Sequence, residues 1–226
     1  MSSTLQEQIK TGFPEKQGLY DPAFEKDSCG VGFVAHIKGK PSHQIVLGAE
    51  IMLQRMEHRG GCGCEPTTGD GAGILTGMPH DFCVKVAKQE LGVDLPAAGQ
   101  YAVGNVFLPT DEVQRQKCIE GVEKLIAEQG QTCLGWRQVP IDTDGADIGP
   151  TARLSQPVIM QLYIAANGVE GKQFERQLYV IRKRSTHDLR YDKSLSQRKI
   201  FYICSLSPSI IIYKGMLNAM QVKTFY

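Results

Sequence analysis

The stretch Asp27-Ser28-Cys29-Gly30-Val31-Gly32-Phe33-Val34-Ala35-His36-Ile37 marks a change in the character of the chain. Upstream of it, residues 1–28 are polar, are punctuated by Gly12, Pro14, Gly18 and Pro22, and show no sustained periodicity. They read as a leader or arm. From Cys29 onward Val31, Phe33, Ala35 and Ile37 alternate with Gly30, Gly32, Val34 and His36, and Gly39, Lys40 and Pro41 close the run. Alternation of period two bounded by turn residues predicts a β-strand. It puts the Cys29 thiol at the mouth of that strand, where small neighbours leave room for a substrate.

Downstream the periods alternate between helix and strand. Ile45, Ala49, Met52, Leu53 and Met56 recur at helical spacing over 45–58, and Gly60 and Gly61 stop the helix just after His58 and Arg59. A Gly-rich loop runs over 60–73 and re-enters an apolar stretch at 72–75 that predicts a second strand. Helices fit 81–91, 110–129 with Thr110 as its cap and Gly130 as its stop, and 171–184 with Phe174, Leu178 and Ile181 facing inward. Strands fit 101–108, 132–139 and 157–164. A final pair, 200–206 and 210–214, is separated by Ser207, Pro208 and Ser209 and reads as a hairpin. The element order is therefore mixed α+β. Ending on Phe225 and Tyr226 without a polar tail suggests a truncated form of a larger domain.

Composition removes several function classes. The 226 residues are 42% hydrophobic, enough to bury a core. Lys plus Arg number 25 against 24 Asp plus Glu, so no global charge favours nucleic acid or an anionic membrane. Lys172 to Lys199 carries nine Lys or Arg against three Asp or Glu, which reads as a solvated or inter-domain face. Apolar runs such as 210–213 are short and none exceeds five residues, far short of the roughly 20 residues a spanning helix needs. No apolar h-region precedes Ser28, so the expected compartment is the cytoplasm, or a plastid stroma if a longer leader has been lost. Seven irregularly spaced cysteines, Cys29, Cys62, Cys64, Cys83, Cys118, Cys133 and Cys204, read as reduced thiols.

Three motifs occur in order: the Asp27 to Ala35 stretch, Leu53-Gln54-Arg55-Met56-Glu57-His58-Arg59-Gly60-Gly61, and Gly69-Asp70-Gly71-Ala72-Gly73-Ile74. Together they resemble the maturation junction and second signature of class II glutamine amidotransferases. The longer run Gly61-Cys62-Gly63-Cys64-Glu65-Pro66-Thr67-Thr68-Gly69 resembles glutamate synthase large subunits more than other members, and the likeness resumes at 201–207 and 213–217. The resemblance implies a four-layer αββα N-terminal nucleophile hydrolase fold. It implies a pro-segment over 1–28 and the amidotransferase domain over 29–226, truncated at its C-terminal side. The implied activity is hydrolysis of L-glutamine to glutamate and ammonia, the ammonia passing to 2-oxoglutarate in the complete enzyme. No cofactor is expected in this chain, because FMN and an iron–sulfur cluster belong to later domains. The implied partners are L-glutamine, the remaining domains and their electron donor.

The chemistry at Cys29 agrees with that likeness. Amide hydrolysis through a thioester needs a nucleophile with a base beside it. An α-amino group titrates at about 7.7 to 8.0 and a thiol at about 8.5, so an N-terminal cysteine carries a base matched to its own sulfur. An amide nitrogen cannot serve, which gives a physical reason for residues 1–28 to be removable. Without the likeness they would read as an ordinary N-terminal arm.

Arg59, between a helix and a Gly-rich loop, can pair with a carboxylate or organise the loop through backbone carbonyls; the resemblance implies that it is substrate-binding, near the glutamine site. Taken alone, it also suits a helix C-terminus. The loop lacks the Lys-Ser/Thr pair of a phosphate-binding loop. Cys62 and Cys64, with His58 nearby, lack the second ligand pair of a zinc site, so no metal is expected. Asn167-Gly168 invites an oxyanion role but reads as a turn. In the family the oxyanion pair follows the 213–217 strand, so the resemblance puts that pair and the substrate clamp beyond Tyr226. Two rival readings remain at this level: a non-catalytic glutamine-binding or scaffold module, and a thiol-rich metal or redox protein.

Overall fold

The computed structural model describes residues 16–19, 21, 29–61 and 65–226. The chain divides into two units, Met1–Val31 and Gly32–Tyr226. In the first, Lys16 pairs with Asp21 at 2.7 Å, and residues 29–31 close its described part in non-regular backbone.

The second unit holds two antiparallel sheets. Its elements are α1 (His43–Arg55), β1 (Ala72–Gly77), α2 (His80–Val86), β2 (Tyr101–Leu108), α3 (Glu112–Glu128), β3 (Thr132–Gln138), α4 (Pro150–Leu154), β4 (Val158–Ala165), α5 (Gly171–Arg190), β5 (Tyr202–Ile203), β6 (Ile210–Gly215) and α6 (Val222–Phe225). The α2 helix runs on through one π turn, Ala87–Leu91. Four strands form one sheet in the order β3-β4-β2-β5, and β1 pairs with β6 in the other. This is the mixed α+β architecture expected, of the kind built by N-terminal nucleophile hydrolases.

Strand β2 shows why the layers stack. Nearly all of it is buried, so both faces of its two-residue period need cover. Ala102, Val106 and Leu108 pack with Cys118, Val122 and Ile126 of α3 and with Phe174, Leu178 and Ile181 of α5. Tyr101 and Val103, on the opposite face, pack with Cys83 and Ala87, with Tyr163 of β4 and with Ile211 of β6. The sheets thus face each other across β2 while the long helices cover the other side. Leu53 of α1, with Ala72 and Ile74 of β1, packs against a third cluster built from Val139, Ile148, Ile159, Leu217, Val222 and Phe225.

Four expectations need correction. Residues 31–37 form no strand: Val31, Phe33 and Ile37 are largely exposed, and the stretch joins neither sheet. Alternation favours extended backbone, but a ladder needs a partner, and none of the described strands pairs with it. The two strands after Lys199 are not a hairpin. Tyr202–Ile203 pairs with β2, whereas Ile210–Gly215 pairs with β1, so Ser207-Pro208-Ser209 carries the chain from one sheet to the other. The α3 cap is Asp111, whose Oδ1 accepts from Gln114 N at 2.9 Å, in place of Thr110. Finally, α5 extends six residues past the expected 184, to Arg190.

Among the described residues, no helix is long and apolar enough to cross a membrane.

Candidate active site

Arg59 is presented by a helix stop. Ser42 caps α1 by accepting from Gln44 N at 3.1 Å, and after Met56 the chain tightens into the 3₁₀ turn Glu57–Arg59. Arg59 N donates to Met56 O at 2.8 Å and Gly60 N to Glu57 O at 2.9 Å. The Arg59 side chain ends exposed at the base of the Gly-rich loop.

The loop is closed at its neck and anchored along its return limb. Gly61 N donates to Asp70 Oδ1 at 2.9 Å, and Asp70 N donates back to Gly61 O at 3.2 Å. Glu65 Oε1 accepts from Thr68 Oγ1 at 2.6 Å and from Thr151 N at 2.8 Å, and its Oε2 accepts from Thr151 Oγ1 at 3.0 Å. One carboxylate therefore ties the loop to the start of α4, where negative charge suits the helix dipole. The Thr67 carbonyl accepts from Gly149 N and from Gln221 Nε2, each at 2.9 Å. Gly69 lies so close to the Leu217 carbonyl that a Cβ there would overlap it, and a Cβ on Gly73 would stand 2.6 Å from Tyr213 O. These two glycines serve close backbone packing against β6 and the segment after it.

The thiols separate by environment. Cys29 is exposed, with its Sγ 3.9 Å from Gly30 O. Cys83, Cys118 and Cys204 are buried and Cys133 is half-buried. Burial pushes the Cys83, Cys118 and Cys133 thiols up to about 11 and Cys204 to about 12. A thiol reacts as its thiolate, so these four are poor nucleophiles near neutral pH. Cys62 and Cys64 lie outside the described residues. Among the described residues, no three His, Cys, Asp or Glu side chains are grouped to hold a metal.

Cys29 and Arg59 fall in different units, and each is described within its own. Asn167-Gly168 is indeed a turn: Gly168 adopts φ +66°, and Asn167 Nδ2 donates to Gly130 O at 3.0 Å and to Thr132 Oγ1 at 2.8 Å. Both contacts tie Asn167 to the turn at Gly130 and to the start of β3. Glu65 was missed by sequence reasoning as an organiser of the loop, although it sits within the quoted motif. Its partner Thr151 is 86 residues away and gives no local signal.

The family model for class II glutamine amidotransferases matches residues 29–226, beginning at Cys29. This chain belongs to that family. Within it, the chain is similar to the NADH-type glutamate synthase of Schizosaccharomyces pombe, with 43% identity over 220 residues, or 94% of this chain and 10% of the relative. It is also similar to the large chain of the NADPH-type glutamate synthase of Bacillus subtilis, with 42% identity covering 94% of this chain and 14% of the relative. A ferredoxin-dependent glutamate synthase of Synechocystis shares 36% identity over 89% of this chain and 12% of its own length. The chain thus spans between a tenth and a seventh of the relatives it matches. These amidotransferase matches run across enzymes named for three different electron donors.

Proposed function

We propose that this chain is the glutamine-hydrolysing domain of a glutamate synthase, with Cys29 as its nucleophile. The reading is carried by a coincidence at one residue. The amidotransferase match starts at Cys29, and Cys29 is the exposed thiol where the other described cysteines are withdrawn into the fold. In this reading residues 1–28 are a pro-segment whose removal frees the Cys29 α-amino group. That amine takes the thiol proton, and Sγ attacks the side-chain carboxamide carbon of L-glutamine. The C–N bond breaks as the α-ammonium returns its proton to the leaving nitrogen, giving ammonia and a thioester. Water, deprotonated by the same amine, attacks the thioester; glutamate leaves and the thiol is restored. Arg59 would meet the substrate carboxylate or hold the loop beside it. The ammonia would pass to 2-oxoglutarate in the remaining domains. FMN, the iron–sulfur cluster and the electron donor belong to that later reduction, because hydrolysis of an amide transfers no electrons. The cytoplasm is the compartment proposed for this chemistry.

Two measurements on the enzyme carrying this domain test the reading. N-terminal sequencing of an active preparation should begin at Cys29. Cys29→Ser should lose glutamine-dependent turnover by orders of magnitude while ammonia-dependent turnover persists, since a hydroxyl is a much weaker nucleophile than a thiol. Robust glutaminase activity from protein still starting at Met1 would overturn the proposal, as would loss of both activities in a folded Cys29→Ser variant.

A further inference from the structure

Between α4, β5, β6 and α6 lies a cavity of about 440 Å³, within the range of roughly 300–1,000 Å³ typical of small-molecule sites. Its apolar wall includes Phe107, Ile159 and Phe225, and its cationic groups are Arg190, Lys199 and Lys214. No Asp or Glu lines it. We infer that this cavity binds a small carboxylate carrying an apolar body, independently of the chemistry proposed at Cys29.

The charge pattern argues for the anion. Arg190 ends α5, Lys199 lies in the connection to β5, and Lys214 is on β6, so three separate segments bring positive charge to one cavity. None of the three is in an ion pair among the described residues. Positive charges brought to one cavity with no acidic residue among its lining favour an anion there, and a carboxylate pairs with the guanidinium fork. Lys214 is already oriented. Its Nζ donates to Tyr202 OH at 2.8 Å and stands 4.5 Å from the centre of the Tyr202 ring.

The neighbouring backbone argues for a small molecule over an added strand. Ile212 N donates to Ser205 Oγ at 3.1 Å, and Asn105 Nδ2 donates to Ile212 O at 2.8 Å. Tyr226 OH donates to Lys214 O at 2.8 Å. Side chains thus engage the β6 main-chain groups that an incoming strand would need for ladder pairing. Recognition falls to the cationic side chains and the apolar wall.

The test uses the isotope-labelled 226-residue chain, followed amide by amide in solution NMR. Titration with 4-phenylbutyrate should shift Tyr202, Gln156 and Lys214 to Leu217, and the uncharged 4-phenylbutyramide should bind at least about tenfold more weakly. Arg190→Gln and Lys199→Gln should each weaken the acid by about fivefold, with the rest of the spectrum unchanged as evidence of an intact fold. Equal binding of acid and amide, shifts located elsewhere, or no shift at millimolar acid would overturn the inference. Tighter binding of acetyl-Asp-Phe-amide than of 4-phenylbutyrate would also overturn it, in favour of a polypeptide ligand.

Discussion

A cysteine's reactivity is set by how readily it ionises and how easily a reagent reaches it, and burial works against both at four of the five described thiols. Cys204, pushed up to about 12 by burial, keeps on the order of one thiolate in ten thousand or fewer near pH 8. Cys83, Cys118 and Cys133, at about 11, keep on the order of one in a thousand. Cys29 lies exposed. Limiting iodoacetamide should therefore label Cys29 well before those four, as read by peptide mapping of the native protein. Equal labelling of Cys204 would mean that the core opens on the labelling timescale. Cys29 stands out in the sequence as a candidate because its context is local: a polar leader, a Ser-Cys-Gly junction and an alternating run. Arg59 is a candidate on the same ground, as the residue between a helical period and a glycine stop. Glu65 as organiser of the loop was not legible, because a side chain that bridges 86 residues has no periodicity to reveal it.

At the scale of elements, the loop after Arg59 is held by side-chain bonds from Glu65 and Asp70 and by close backbone contact at Gly69 and Gly73. Gly69→Ala should destabilise the chain by at least about 1–3 kcal/mol, because the new methyl meets the Leu217 backbone and has no flexible side chain to displace. Urea unfolding of the variant and the parent measures this. An unchanged midpoint would show that the loop can lift from the segment after β6 without loss. Strands β2, β3 and β4 were legible to within a residue at each end, since β2 and β4 carry concentrated apolar runs and the edge strand β3 is set off by Gly130 and Pro140. The short helices α4 and α6, of five and four residues, are too brief to show a period of 3.6. The hairpin reading failed for another reason. Ser-Pro-Ser specifies a change of direction but not which sheet the second strand will join, and that choice is made by β1 and β2, which lie more than ninety residues upstream.

At the scale of the molecule, the space between the sheets is partly polar. Gln161 Oε1 accepts from Arg137 Nη1 at 3.0 Å and from Tyr163 OH at 3.1 Å, and its Nε2 donates to Tyr213 OH at 3.0 Å. Arg137 Nε also pairs with Glu90 at 2.8 Å. Desolvation raises the Tyr101, Tyr163, Tyr213 and Tyr226 hydroxyls above their ordinary range, as it does the buried thiols. The consequence for stability has a definite sign. In the unfolded chain these groups ionise at about 8.5 for thiols and about 10 for tyrosines. In the fold they stay neutral to higher pH, so their contribution is complete below the unfolded values and is lost as pH rises toward the folded ones. The urea midpoint should be level across neutral pH as far as these groups are concerned, and should fall from about pH 8.5 upward. Cys204→Ala should lower the midpoint at neutral pH by leaving a small void, yet reduce the steepness of the alkaline fall by removing a thiol raised to about 12. An identical alkaline slope in the variant would show that the Cys204 proton is not linked to folding. A midpoint rising above pH 9 would contradict the buried-neutral account of the whole set.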